Sequence, residues 1–314
     1  MFLDKKQNLI LAPMAGISDI PFRKISYDFG ADIAVTEMIN ARGLIEGSKK
    51  TYSLMRIDKR EINTGIQLFG NDIEIMKRAV EIVCESNLNI KFIDINAGCP
   101  AKKVIRGGSG GALLKNLKKL EIMLNSVKSV SNIPVSCKVR IGYDENTISE
   151  IVNAIKSSGV KIITIHGRTV KQGFKGKSDL SWIKSFNNDK DMQYIISGDI
   201  NTPDKAVEIM DKYPKFHVMI GRGALGNPFI FDYIKDLRRN GNYNRVNKEE
   251  LFKTIRKHYK FMLKVFGDYG VILMRKHIGW YLKGLPGSKK LKDKINKIGE
   301  YNDVIRELDK YDRN

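Results

Sequence analysis

The residue with the clearest chemical opportunity in this chain is a cysteine held between glycine and proline. The segment DINAGCPAKKV spans Asp94 to Val104, and Cys99 follows an apolar run with Gly98 before it and Pro100 after it. Glycine permits close backbone approach and proline blocks helix continuation, so the thiol is expected on a rigid loop. Lys102, Lys103 and Arg106 come next, and their charge favours an anionic ligand or a thiolate. An inert, buried thiol is the bland alternative; it suits Cys84 and Cys137, which both lie within apolar elements. Lys138 stands inside VSCKVRIG, where an inward-pointing lysine is costly unless paired or used. It could form a Schiff base, hold the electron-rich edge of a flavin with its charge, or snorkel outward from a strand end. His166 ends ITIHGRT with no second histidine at metal-ligand spacing, which favours a hydrogen bond to a cofactor ring or phosphate over a metal. In SGDI (Ser197–Ile200) and IGRGALGNP (Ile220–Pro228), glycines let backbone N–H groups turn toward an anion, and Arg222 adds donors. These two turns point to a phosphate-bearing cofactor. GGSGGALL (Gly107–Leu114) lacks the G-K-[ST] ending of a nucleotide-hydrolysing loop.

Such residues need a frame, and the chain supplies a repeating one. Nearly continuous apolar runs centre on Leu9–Leu11, Ile33–Thr36, Thr64–Leu68, Phe92–Asn96, Val135–Val139, Ile162–Ile165, Tyr194–Ser197 and His217–Ile220. Runs of this kind are expected of parallel strands buried on both faces. Amphipathic stretches separate them: Asp72–Cys84 with Ile75, Ala79 and Ile82, and Thr147–Ser157 with Ile148, Ile151, Val152 and Ile155. Thr202 before Pro203 reads as an N-cap followed by proline at the first helical position. Eight βα units predict a (β/α)8 TIM barrel; a doubly wound sheet is disfavoured because APMAGISD replaces G-x-G-x-x-G after the first strand. Chemistry in such barrels sits at the C-terminal strand ends. Those ends read Pro13-Met14-Ala15, Glu37-Met38, Gln67, Asn96 to Cys99, Lys138 with Arg140, His166 with Arg168, Gly198-Asp199 and Gly221-Arg222.

After about residue 241 the pattern changes. GNYNRVNKEE is a polar boundary, and Leu251, Ile255, Tyr259, Met262 and Phe266 then recur at helical spacing. A second helix is expected from about Tyr269 to Lys283, and GLPGS precedes one or two basic helices. Residues 1–240 are therefore read as a catalytic barrel and residues 241–314 as a small all-helical C-terminal domain. With 55 Lys+Arg against 35 Asp+Glu, the formal charge is +20, which favours a polyanionic partner, although a lysine-rich proteome also yields basic proteins. Three cysteines without framework spacing argue for a reducing compartment, and no C-x-x-C pattern suggests a metal. MFLDKKQNLILAPMAG carries too short an apolar run for a signal peptide and reads as a strand; no run is long enough for a bilayer. A cytoplasmic protein with no membrane partner is expected.

The runs APMAGISDIPFR, TEMI, DINAGCPAKKV, CKVRIG, IHGRT, SGDI and MIGRGALGNPFIF resemble the signature set of the tRNA-dihydrouridine synthase family, and the bacterial short type fits best. They cover residues 11 to about 231, and MRKHIGWYLKG (Met274–Gly284) resembles that family's C-terminal domain. The resemblance implies an FMN-dependent flavoprotein that reduces the C5–C6 bond of uridine in tRNA, with NADPH as reductant. It implies hydride delivery to C6 and protonation of C5 by Cys99. Pro13, Met14 and Ala15 would contact the isoalloxazine, and Gln67, Lys138 and His166 its polar edge. Ser197, Gly198, Asp199, Gly221 and Arg222 would take the phosphate end. The family more often has Asn where Ser197 stands, so a backbone contact is expected there. Asn96 and Arg140 would grip the uracil edge, Lys102 and Lys103 would face RNA phosphates, and the helical tail would clasp the tRNA. Arg275, Lys276 and His277 are consecutive, so at least one of them must support the fold.

Three other readings compete. A small-molecule flavin barrel would share the phosphate turns but needs neither the +20 charge nor a basic appendage. A Schiff-base lyase would use Lys138 without a flavin, and a non-catalytic RNA-binding module would leave the reactive strand ends unexplained.

Overall fold

Alternation along each strand decides which side chains enter the barrel and which meet the helices. In β5 (Val135–Arg140), Val135, Cys137 and Val139 join the outer apolar layer, which leaves Ser136, Lys138 and Arg140 to the inside. In the computed structural model, Leu3 and residues 6–313 are described; Met1, Phe2, Asp4 and Lys5 of the N-terminal segment, and Asn314, lie outside the described residues. The other strands are β1 (Leu9–Leu11), β2 (Ile33–Asn40), β3 (Thr64–Phe69), β4 (Phe92–Ala97), β6 (Ile162–His166), β7 (Gln193–Ser197) and β8 (His217–Ile220). Each pairs in parallel with the next, and β8 pairs with β1 through Leu9 opposite Val218, so the sheet closes. Every strand expected from the sequence is present; β2 runs on to Asn40, past a register shift between Val35 and Met38.

The barrel interior is graded. Its lower layers are apolar, built from Leu3, Ile10, Ile33, Phe92, Ile162 and Ile195. One pleat higher, the same inward parity brings up Gln67, Asp94, Lys138 and Thr164. Higher still stand Asn96, Arg140, His166 and Ser197. A packed floor with a polar top directs chemistry to one mouth of the barrel.

The surrounding helices follow their sequence signals closely. Thr202 accepts from the Lys205 amide at 3.2 Å and Pro203 opens the helix Pro203–Lys212. The helix Ile148–Ser157 buries the expected Ile148, Ile151, Val152 and Ile155. The helix Ile73–Glu85 instead buries Met76, Ala79, Val80 and Val83, so its core stripe is rotated from the expected Ile75, Ala79 and Ile82. Cys137 is buried as expected, whereas Cys84 is only half-buried beside the Ser131 hydroxyl.

C-terminal to the barrel, helices Lys248–Phe266, Tyr269–Tyr281, Ser288–Ile295 and Tyr301–Arg313 bury a core of their own, including Phe252, Tyr259, Met274, Ile278 and Leu308. They dock on the first barrel helix, Ile20–Asp28. Phe22 of that helix packs on His258 and His277 at ring separations of 5.9 and 5.2 Å, and Lys257 pairs with Asp28 at 2.8 Å. The three consecutive polar residues divide their duties. His277 is buried, Arg275 donates to the Ile298 carbonyl at 3.3 Å, and Lys276 reaches the Gly16 carbonyl in the loop after β1. Gly226, in the loop after β8, sits against the backbone of Trp280 with φ +67°, where a β-carbon would overlap that backbone. The helix Tyr269–Tyr281 thus touches the loops after both β1 and β8.

Candidate active site at the barrel mouth

Cys99 lies one turn beyond β4, and its loop is held from three sides. The Asn96 Oδ1 accepts from the Cys99 amide at 2.9 Å and the Gly98 amide at 3.2 Å. The Arg140 Nε donates to the Gly98 carbonyl at 2.9 Å, and the Gly111 amide donates to the Cys99 carbonyl at 3.0 Å. Gly110 has φ +59°, and a β-carbon there would stand 3.0 Å from Cys99 Cβ. The glycine-rich GGSGGALL therefore serves as a close-packed brace for the cysteine loop.

Beneath this loop runs a buried polar network. Asn96 Nδ2 donates to Gln67 Oε1 at 2.9 Å, Gln67 Nε2 donates to Asp94 Oδ2 at 2.7 Å, and Ser136 Oγ donates to Asp94 Oδ1 at 2.6 Å. Burial pushes the Asp94 carboxyl upward, while these two donors and the Lys138 charge oppose that shift. Burial brings the Lys138 ammonium down to about 8, with Asp94 resisting and Arg140 adding to the fall. His166 is driven down to about 2 by burial and then by Lys138, Arg140, Arg168 and Arg222, so its ring is neutral near pH 7. Its Nδ1 is buried without a partner in the protein. Such an atom calls for a ligand group to complete it.

The rim after β6, β7 and β8 is built on arginines. Arg168 is buried and donates to the Lys175 and Gly176 carbonyls at 3.1 and 2.6 Å, and its Nη2 pairs with Asp199 Oδ2 at 2.6 Å. Arg222 pairs with the other Asp199 oxygen at 2.8 Å. Partial burial raises the Asp199 carboxyl, but the Ser178 amide and the two guanidiniums outweigh it and hold the group below its ordinary value. Asp199, expected among the phosphate contacts, spends its side chain on aligning these arginines. Only its backbone, at φ +52° beside Gly198 at +115°, is left to face an anion. Arg140 is similarly committed: Nη1 donates to the Thr169 and Gly173 carbonyls at 2.8 and 2.7 Å, which leaves Nη2 to face a ligand.

The cleft at the barrel mouth measures about 800 Å³. Its lining contains every residue expected to act on cofactor, uracil or proton transfer: Pro13, Met14, Ala15, Gln67, Asn96, Cys99, Lys138, Arg140, His166, Ser197, Gly198, Asp199, Gly221 and Arg222; Glu37, Lys103, Arg106 and Arg168 lie outside it. Ala12, Met38 and Met219 add apolar surface. The size and the mixture of apolar wall with few convergent polar groups suit a cofactor-sized ligand.

A family model described as dihydrouridine synthase (Dus) matches residues 10–314. The chain belongs to the dihydrouridine synthase family. A "probable tRNA-dihydrouridine synthase" of Rickettsia conorii is 33% identical over 303 residues, covering 95% of this chain and 91% of the relative. The "tRNA-dihydrouridine synthase B" of Pseudomonas putida is 32% identical over 298 residues, covering 93% and 88%. Among solved structures, a histamine dehydrogenase from Rhizobium sp. 4-9 aligns with TM-score 0.53 at 12% identity, over 81% of this chain and 48% of that one. An old yellow enzyme homologue from Zymomonas mobilis aligns with TM-score 0.50 at 10% identity, over 77% and 91%. At such identities these two speak for the fold alone.

Four features of this dihydrouridine synthase site escape a reading of strand ends. Asp94 lies below the cleft and acts on it through Gln67. Arg168 was visible at the end of β6, but its pairing with Asp199 crosses loops. Phe174, 60% exposed, has the Arg140 and Arg222 guanidiniums 5.5 and 5.1 Å from its ring centre. It stands in a loop without periodicity, so nothing in the sequence pattern marks it. Lys276 arrives from a helix 260 residues away from Gly16.

Proposed function

We propose that this dihydrouridine synthase family member reduces the C5–C6 double bond of uridine in tRNA, with bound FMN and NADPH as reductant. The observation that carries the reading is the single cleft that gathers a braced cysteine, a half-buried cationic lysine, a histidine nitrogen lacking a partner and two glycine turns with an arginine. FMN, once reduced by NADPH, would supply the hydride received at C6. The residues fit that group. Pro13, Met14 and Ala15 offer an apolar face to the isoalloxazine. Lys138 offers a positive donor to its polar edge and Gln67 the second hydrogen of its Nε2, and neutral His166 offers its free nitrogen. The backbone of Ser197, Gly198, Asp199 and Gly221, with the Arg222 side chain, suits a phosphate.

Cys99 then gives its Sγ proton to C5, so that one hydride and one proton complete the saturated ring. Asn96 and Arg140 border the cysteine and would orient the uracil edge, Arg140 through Nη2. A base must leave its stack to enter a barrel mouth. The exposed Lys102 and Lys103 beside Cys99, and the basic helical domain of residues 241–314, would hold the flanking phosphates; residues 1–240 would form the catalytic domain.

Incubation of purified protein with NADPH and unmodified tRNA, followed by digestion and mass spectrometry, tests the reading. The expected result is a gain of about two hydrogens on uridine, falling ~10²–10⁴-fold in Cys99→Ala, which retains its flavin absorbance. No gain from flavin-loaded protein, or an undiminished gain in Cys99→Ala, overturns it.

A further inference from the structure

The network under Cys99 has a direction, and its two ends fix that direction independently. At the lower end Asp94 accepts from Ser136 and Gln67 with both oxygens, as an ionised carboxylate does. At the upper end stand the Gly98 and Cys99 amides, which only donate. Between them lie two side-chain amides, Gln67 and Asn96, each with one donating and one accepting end. Only one arrangement satisfies every junction: Gln67 gives Nε2 to Asp94 and Oε1 to Asn96, and Asn96 gives Nδ2 to Gln67 and Oδ1 to the cysteine loop. All three side chains are buried, so water is a poor substitute for a mismatched partner.

We infer that Asp94 is a positioning residue: it polarises Gln67 and Asn96 in series and so strengthens the hold of Asn96 Oδ1 on the Cys99 loop. This rests on the reading of Cys99 as proton donor only for its bearing on catalysis. The coupling from Asp94 to the Cys99 backbone is a property of the folded chain. Protonation or amidation of Asp94 would give it a donor and let Gln67 turn over, so that Asn96 would meet donors on both sides and its hold on the Cys99 loop would weaken.

The test is a two-residue cycle on the full chain, read by the rate at which iodoacetamide alkylates Cys99. The Cys99 peptide is quantified by mass spectrometry apart from those of Cys84 and Cys137. Asp94→Asn is expected to raise the rate at least threefold by loosening the loop. Gln67→Leu, which cuts the connection, should do the same, and the double variant should be no faster than the faster single one. A mere charge effect or a general loosening would multiply, so multiplied effects overturn the inference, as does an unchanged rate in Asp94→Asn. Should Asp94→Asn fail to fold, Gln67→Leu alone decides: an unchanged rate sinks the proposal. With tRNA, Asp94→Asn should lower kcat at least tenfold while KM stays within twofold; a change confined to KM overturns the positioning role. Neither iodoacetamide nor the Cys99 peptide involves tRNA, so a failed coupling and a failed reading of the enzyme's activity give different results.

Discussion

A neutral histidine and a charged lysine share the roof of this barrel because their surroundings act on them in different ways. Burial lowers both groups, but His166 faces four cations, whereas Lys138 has Asp94 near enough to resist. The imidazole signal of His166 is therefore expected to stay flat in an NMR titration from pH 5 to 8. A midpoint near 6.5 would contradict the crowding described. His166→Leu, which removes the unpartnered nitrogen, should weaken flavin retention on gel filtration without unfolding the chain. Cys99, Lys138 and His166 were legible because strand ends in a barrel point to one place and the neighbouring residues announce those ends. The roles of Asp94 and Arg168 were not, although Arg168 itself stood at a strand end. Their duties depend on partners 27 and 31 residues away, and no local spacing encodes which partner a buried polar group meets.

Elements were read from the sequence more securely than their faces. Continuous apolar runs gave all eight strands, since burial on both sides leaves few other outcomes. The core stripe of Ile73–Glu85 was misjudged because Ile75 and Ile82 are as apolar as the residues that are buried. The helix Tyr269–Tyr281 was legible as a helix, yet not as a strut. Its backbone against Gly226 and its Lys276 on Gly16 are tertiary facts. Gly226→Ala should strain a left-handed position and press on Trp280, costing ~1–3 kcal/mol in urea unfolding. A variant as stable as the parent would show that the loop after β8 is free to move away.

At the scale of the molecule, barrel and helical tail meet over buried histidines. His258 is lowered to about 3 by burial and then Lys276; His277 is held well below its ordinary value by burial, His258 and Lys276. Both folded values lie below the unfolded one near 6.5. The unfolded chain therefore takes up protons that the folded chain refuses, and stability present above pH 6.5 is lost as pH falls. Asp19 at the same junction acts oppositely. Burial raises it to about 7 with Glu37 assisting, against the Phe22 amide, Lys276 and Arg23, so its contribution is lost as pH rises toward 7. His277→Leu removes one histidine without breaking a hydrogen bond, since neither ring nitrogen has a partner. Between pH 4.5 and 6 the slope of unfolding free energy against pH should flatten by ~1.4 kcal/mol per pH unit, one proton's worth. An unaltered slope in denaturant titrations would place the acid sensitivity elsewhere.

The strut also has a meaning in time. A ribosome adds about 5–20 residues per second. Strand β8 ends at Ile220, but the helix that rests on both rim loops is complete only at Tyr281. For roughly 3–12 s of synthesis, then, the ring of strands can be closed while its mouth is still unfinished. The rim is completed late, by a segment that contributes no strand to the barrel.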